Sequence, residues 1–173
     1  MHELLLLSLT ELMERLRSRR ASPVELMQAV LERIDAANPE LNAFVALRDR
    51  EALLADAQAA EARIARGEAR PLEGVPLGVK DLEDVRGLPT SHGSRIFAGS
   101  VADRTTTQVR RLEASGAIVV GKTNTPEFGS SVCLPVPPLR HLSLHPRCIA
   151  RASGRRGAQL REILTQPSSR LRA

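Results

Sequence analysis

Apolar residues recur every three or four positions through most of the first 70 residues, the spacing of one face of an α-helix. Three helices are predicted from this pattern. Ser8 with Glu11, and Ser22 with Glu25, match the S-x-x-E pattern of a capping box at a helix start. Pro23 suits the first position of the second helix, because its missing N–H has no partner there in any case. Two of the three helix starts are therefore well marked.

The ends of these helices are predicted from proline and glycine. The second helix is expected to stop near Asn38-Pro39, because the residue before a proline disfavours the helical conformation. Residues 41–47 are predicted as a connector. The third helix is predicted from Asp49 to Arg66, with Gly67 at its end.

The pattern changes after residue 70. Residues 71–81 (PLEGVPLGVKD) alternate Gly and Pro with small apolar side chains, which predicts a short strand that ends at Lys80. Residues 86–104 form a long polar loop, and loops of that length are often functional. A helix over residues 107–115 and a β-branched strand over residues 117–120 follow. Together these elements predict an α/β fold in which two strands can be placed.

Residues 116–123 (GAIVVGKT) match the phosphate-loop pattern G-x-x-x-x-G-K-[ST] letter for letter. In a phosphate loop a strand comes first, a glycine-rich turn wraps the phosphates, and a helix begins right after the Lys. Here a helix precedes the first glycine, which suits its C-cap, and the four variable positions are themselves the predicted strand. Thr123 leads into a turn signal, Asn124-Thr125-Pro126. The context therefore argues against a nucleotide site.

The charge distribution divides the chain near Cys133. The sequence carries a net charge of −2 up to Val132, whereas residues 133–173 contain eight Arg, no Lys and one Glu, a net charge of +7. We therefore expect two parts: residues 1–132, and an Arg/Pro-rich tail that is disordered or translated out of frame. A genuine adaptor tail for nucleic acid or an acidic partner is the competing explanation. The tail has no aromatic residue to stack on bases, which argues against nucleic acid.

No metal, cofactor or membrane segment is expected. His141 and His145 are four residues apart with Cys148 nearby, but Pro146 argues against the helix that would place both imidazoles on one face. The apolar run Leu4–Leu7 is too short for the core of a signal peptide, and no stretch is long enough to span a membrane. A cytoplasmic protein is the default expectation, and the oligomeric state is left open.

Three segments resemble one family. They are SPVEL at residues 22–26, EGVPLGVKD at residues 73–81 and DRTTTQVRRLEASGAIVVGKTNTPEF at residues 103–128, with Gly93-Ser94 between the last two. In order and spacing they are similar to the amidase signature enzymes, which include bacterial amidases, fatty acid amide hydrolase and the A subunit of tRNA-dependent amidotransferases. The resemblance implies a mixed sheet surrounded by helices, present here as an N-terminal fragment. It also implies that Lys122 belongs to a structural strand and is not a phosphate ligand.

The resemblance also implies a chemistry. The family hydrolyses carboxamides to a carboxylate and an amine through a Ser–cis-Ser–Lys triad, and Lys80 in GVKD falls on the catalytic lysine. That lysine must be neutral part of the time, which burial at the end of an apolar strand would favour. From the residues alone, Lys80 would instead be an ordinary surface lysine paired with Asp81, Glu83 or Asp84.

The serines of the triad have no counterpart here. The family continues into a Gly/Ser-rich segment that supplies both serines and the oxyanion hole, and this sequence has none. Ser153 and the pair Ser168-Ser169 lack the small-residue neighbours that an oxyanion hole needs, so they receive no serine role. Gly129, Ser130 and Ser131 are expected to line the substrate side.

Two functional hypotheses follow. The first is an amidohydrolase by descent, acting in the intact family on a small-molecule amide, whose chain is inactive by itself because only the lysine of the triad is present. The second is a non-enzymatic binding protein that uses residues 133–173 to hold nucleic acid or an acidic partner.

Overall fold

The structure, a computed structural model, describes residues 2–130. After two consecutive helices, strands and helices alternate along this part of the chain, and three short 3-10 helices lie at Glu3–Leu6, Arg95–Phe97 and Glu127–Gly129. The elements in chain order are α1 Leu9–Arg17, α2 Pro23–Leu41, β1 Phe44–Leu47, α3 Arg50–Ala65, β2 Pro76–Lys80, α4 Thr107–Ala114 and β3 Ile118–Thr123.

The strands form one mixed sheet in the order β1-β3-β2. β2 runs parallel to β3, with Lys80 opposite Thr123, and β1 runs antiparallel to β3. The two predicted strands are confirmed, but the prediction of a connector over residues 41–47 was wrong, because Phe44–Leu47 is a third strand. This strand has only four residues, and its pairing with β3, more than 70 residues away, is not a local signal.

Side-chain caps start the first two helices as predicted. The Ser8 hydroxyl accepts the Glu11 N–H at 3.3 Å and the Glu11 carboxylate accepts the Ser8 N–H at 3.0 Å, which completes a capping box. The Ser22 hydroxyl accepts the Glu25 N–H at 3.4 Å, but the Glu25 side chain returns no such bond. The Glu25 Oε1 atom lies 3.6 Å from His2 Nε2 instead. The second helix therefore has a serine N-cap but not the complete capping box that was predicted.

The prediction that α2 stops near Asn38-Pro39 was wrong by two to three residues, because the helix runs to Leu41. Asn42 ends the helix in the left-handed region, with φ 46°, and donates its N–H to the Asn38 carbonyl at 2.7 Å. The Asn38 side chain bonds both the N–H and the carbonyl of Phe44, at 2.7 and 3.0 Å. These bonds hold the exit from α2 into β1.

Apolar side chains bury both faces of the sheet, because successive residues of β3 point to opposite faces. Ile118 and Val120 pack against α2 and α3, whereas Val119 packs with residues of β2 and α4. The larger cluster contains Met27, Leu31, Ile34, Leu53, Ala57, Ala60, Ile118 and Val120.

Two glycines allow neighbouring strands to approach closely. A Cβ on Gly121 would overlap the carbonyl oxygen of Ala46 in β1, and a Cβ on Gly78 would lie 2.8 Å from the methyl group of Thr123. Gly116 ends the turn between α4 and β3 with φ 101°. Each position therefore needs glycine for a physical reason.

Candidate active site

The carboxyl ends of β2 and β3 lie side by side at one edge of the sheet, and this is where α/β proteins bind their ligands. Lys80 is the last residue of β2, and the Asp81 N–H donates to the Thr123 carbonyl at 2.9 Å. The loop over residues 89–94 and the turn over residues 124–130 meet at the same edge. We refer to this place as the strand-end site.

Lys80 is exposed at the strand-end site. Within residues 2–130 its side chain makes no hydrogen bond and no ion pair, while its carbonyl accepts the Glu83 N–H at 3.0 Å. The burial expected for a catalytic lysine is therefore absent from the part of the chain that the structure describes. The expected surface pairing with Asp81, Glu83 or Asp84 is also not formed.

Lys122, at the end of β3, has the opposite environment. Its side chain is completely buried, with an exposed fraction of 0%. The Nζ atom donates to Asp81 Oδ1 at 3.1 Å, to the Pro89 carbonyl at 3.1 Å and to Thr90 Oγ1 at 2.9 Å. Three acceptors satisfy the three protons of the ammonium group. Lys122 therefore joins the ends of both strands to the loop over residues 89–94.

Asp81 completes this network from the other side. Its carboxylate accepts the Ser91 N–H at 3.2 Å and the Ser91 hydroxyl at 2.5 Å, in addition to the bond from Lys122. The sequence interpretation missed this pair and considered Asp81 only as a neighbour of Lys80. One signal was available: Lys122 ends an otherwise buried strand, and it is one of only two lysines in the chain.

The long polar loop predicted over residues 86–104 folds back on itself. Pro89 and Val101 form an isolated antiparallel bridge, and the Thr90 N–H donates to the Ser100 carbonyl at 2.9 Å. A Cβ on Gly93 would lie 2.6 Å from the Thr125 carbonyl oxygen, so the loop contacts the turn after β3 through backbone.

Side chains of the loop and the turn form a second contact. Ser94 is buried, and its hydroxyl donates to the Glu127 carboxylate at 2.7 Å. The His92 and Phe97 rings meet edge to face with centroids 5.4 Å apart, and Phe128 lies 6.1 Å from Phe97. His92 and Phe128 both have left-handed backbones, and the Phe128 N–H donates to the His92 carbonyl at 2.7 Å.

Two of the three predicted substrate-side residues can be located. Gly129 packs against Leu82, whose Cδ1 atom would lie 2.6 Å from an added Cβ. Ser130 is exposed, and its N–H donates to the Glu127 carbonyl at 3.0 Å. Both follow β3 at the strand-end site. Ser131 lies outside the described residues, and the substrate-side role of all three stays a prediction.

Several other sequence predictions also fall outside residues 2–130. They concern the boundary at Cys133, the Arg/Pro-rich tail over residues 133–173 with its proposed binding role, and five histidines and serines: His141, His145, Ser153, Ser168 and Ser169. Among the residues that the structure describes, no helix has the length and apolar content needed to cross a bilayer.

The amino-terminal ends of β2 and β3 carry a different charged cluster. The Glu73 side chain is 2% exposed, and its carboxylate accepts bonds from Arg63 Nε at 2.9 Å and Arg70 Nε at 2.6 Å. Burial raises the pKa of Glu73, but the hydrogen bonds from Arg70 and Arg63 lower it more, so the pKa lies below its ordinary value. This cluster is far along both strands from Lys80.

A family model, sequence relatives and solved structures all relate this chain to amidases. The family model described as Amidase matches residues 25–147. The chain is 48% identical over 126 residues to the A subunit of glutamyl-tRNA(Gln) amidotransferase from Azoarcus sp. (strain BH72). That match covers 72% of this chain and 26% of the Azoarcus protein.

Solved structures give the same picture. The peptide amidase of Stenotrophomonas maltophilia superposes with a TM-score of 0.64 at 33% identity, covering 70% of this chain and 25% of that one. A bacterial aryl acylamidase of the amidase signature family superposes with a TM-score of 0.63 at 29% identity, covering 70% and 26%. The chain thus spans about a quarter of the length of the relatives it matches.

Proposed function

The chain belongs to the amidase family, and from that premise we propose that it supplies the catalytic lysine for hydrolysis of a small-molecule carboxamide. One observation carries the proposal. Lys80 stands at the carboxyl end of a parallel strand pair, exposed, with no carboxylate or hydrogen-bond partner on its amine within residues 2–130. No carboxylate of the described residues is paired with this amine, and such a partner would favour the charged form over the neutral form that the proposed role requires.

The proposed chemistry is that of a Ser–cis-Ser–Lys triad. The neutral Lys80 amine accepts, through a bridging serine, the proton of a nucleophilic serine, whose Oγ bonds to the carboxamide carbon. The C–N bond then breaks as the leaving amine takes that proton, and water releases the acyl group as a carboxylate. Gly129, Ser130 and Ser131 are proposed to line the substrate side of this site.

We assign neither serine role to a residue of this chain. No Gly/Ser-rich segment follows Ser131 in the sequence, and such a segment would have to place two serines and the oxyanion-hole amides. The proposal is therefore that the lysine acts only where these groups are supplied, and that the 173-residue chain alone does not hydrolyse amides.

The first experiment assays the purified chain and Lys80→Ala on aliphatic amides and anilides. We expect no hydrolysis above the buffer rate from either protein. Hydrolysis that is lost in Lys80→Ala would contradict the proposed inactivity while supporting the role of the lysine. Hydrolysis that persists in Lys80→Ala would contradict both.

The second experiment tests the lysine in a complete site. Residues 25–130 replace the matching segment of the Stenotrophomonas maltophilia peptide amidase, and peptide-amide hydrolysis is measured for this chimera and for its Lys80→Ala and Lys80→Arg variants. Loss of a general base costs about 10²- to 10⁴-fold in rate. Arginine should not rescue activity, because a guanidinium stays protonated. A Lys80→Ala chimera as active as its parent would refute the assignment.

A further inference from the structure

The two lysines of this chain have contrasting environments, and the contrast points to a second role at the strand-end site. We propose that Lys122 is a positioning residue for Lys80. It holds the Asp81 carboxylate inside the fold, so that the Lys80 amine faces no carboxylate from its own strand end. The importance of this arrangement for catalysis rests on the proposed function, but the arrangement itself does not.

The first step of the argument concerns Asp81. As the residue next to an exposed lysine, it is the carboxylate that the local sequence offers as a partner for Lys80. Its side chain is instead 3% exposed and bonds Lys122 and Ser91, through contacts of 3.1 Å or less to Lys122 Nζ and the Ser91 hydroxyl. The fold therefore turns this carboxylate away from Lys80.

The second step concerns why Lys122 is needed. A buried carboxylate that loses its cation is strongly unfavourable, because its desolvation is no longer offset. The Ser91 hydroxyl and N–H alone would be left to hold it. Without the charge of Lys122, we expect Asp81 to turn outward to water, where Lys80 is the adjacent cation.

The third step concerns the other acidic groups. Glu83 and Asp84 follow Lys80 in the sequence, and neither forms an ion pair with it in the described structure. The Glu127 carboxylate, from the turn after β3, accepts the Ser94 hydroxyl at 2.7 Å. Among these carboxylates Asp81 is the one that Lys122 holds buried, so its release is the change that we expect to give Lys80 a counter-ion.

The composition of the chain makes the test simple. Only Lys80 and Lys122 carry an ε-amine, so Lys122→Met leaves Lys80 as the single lysine. We would measure the rate at which acetic anhydride acetylates Lys80, by peptide mass spectrometry at one fixed pH. The rate follows the neutral fraction of the amine. An exposed ion pair of ordinary strength should slow it about two- to fivefold in Lys122→Met.

A double variant separates this effect from general damage. In Lys122→Met with Asp81→Asn no carboxylate remains at position 81, so the acetylation rate should return to that of the unaltered chain. Circular dichroism verifies that both variants fold. An unchanged rate in Lys122→Met would overturn the proposal, and so would a lowered rate that persists in the double variant.

The unaltered chain provides a test that does not depend on any variant folding. Salt screens exposed ion pairs, so the acetylation rate of a lysine without a partner should change little between low and high sodium chloride. A twofold or larger rise with salt would reveal a carboxylate beside Lys80 and overturn the proposal. None of these measurements uses amide hydrolysis. If Lys80→Ala left the chimera active, the catalytic assignment would fail while the placement of Asp81 could still hold.

Discussion

Each end of the β2/β3 strand pair holds a buried carboxylate, and the two ends neutralise its charge in different ways. At the amino-terminal end, a buried acid, Glu73, is neutralised by Arg63 and Arg70, whose side chains are 33% and 39% exposed. At the carboxyl end, Lys122 and Asp81 neutralise each other with exposed fractions of 0% and 3%. One charge cluster extends to water, and the other is closed.

This difference determines how strongly the loss of one charged partner should destabilise each end. The arginines at the open end can keep contact with water when the acid is altered. At the closed end neither partner can be solvated in place, so removing one leaves an uncompensated buried charge. At the closed end Lys122 pairs with Asp81, and Lys80 has no partner among the described residues. At the open end both arginines bond Glu73.

The largest expected effect is at the closed end. Lys122→Met should lower the free energy of unfolding by about 3–5 kcal/mol, because the Asp81 carboxylate loses its buried cation and must give up its closed position to reach water. Urea unfolding followed by circular dichroism measures this, since the chain has no Trp or Tyr to report by fluorescence. The matched control, Lys122→Met with Asp81→Asn, should lose less than the single variant. If Lys122→Met were as stable as the unaltered chain, the Asp81 carboxylate would not depend on Lys122 for its charge compensation.

The open end should be less sensitive. Glu73→Gln should cost about 1–3 kcal/mol, because three charge-assisted hydrogen bonds are weakened but both arginines remain partly in water. Glu68→Gln is the control, since Glu68 pairs with Arg66 on the surface, where a pair contributes about 0–1 kcal/mol. A cost for Glu73→Gln above that for Lys122→Met would reverse the ranking of the two ends.

The open end should also respond to acid. Although burial raises it, hydrogen bonds from Arg70 and Arg63 leave the pKa of Glu73 below its ordinary value in the folded protein. Its stabilisation is therefore present above the unfolded value of about 4.3 and is lost as the pH falls through the lower folded value. Unfolding curves measured on both sides of this window should show a smaller loss on acidification in Glu73→Gln. An equal loss in both proteins would assign the acid response to other carboxylates.

The smallest effect is expected at the exposed lysine. Lys80→Ala should change the free energy of unfolding by less than about 0.5 kcal/mol, because its side chain has no partner in the described structure. The same urea experiment measures it. A large loss of stability would mean that Lys80 has a structural contact, which would weaken both the comparison and the proposed function.

Local signals account for the part of the fold that the sequence predicted. The hydroxyls of Ser8 and Ser22 sit before their helices, and Gly116 follows α4. The failures involve partners that the sequence pattern did not reveal. β1 is a strand because β3, more than 70 residues away, pairs with it. α2 continues past Pro39 to Leu41, and its Asn38 side chain bonds the backbone of Phe44, which was predicted to lie in a connector.

The candidate site was predicted only in part for a similar reason. The pattern of residues 71–81 placed Lys80 at a strand end, and the structure confirms that position. The catalytic role that the family resemblance implies for Lys80 stays a prediction. The bond between Lys122 and Asp81 joins residues 41 positions apart. The position of Lys122 in an otherwise buried strand was the one available signal, and it does not identify Asp81 as the partner, so the network became visible only when the strands were paired.

The close packing of β3 also has a consequence for searches by sequence pattern. Every fixed letter of the phosphate-loop pattern has a packing reason here: Gly116 makes a turn, Gly121 admits the Ala46 carbonyl, Lys122 fills a closed ion pair, and Thr123 lies against the glycine of β2. A scan for the phosphate-loop pattern would therefore return this chain, although each matched residue has a packing role in the sheet.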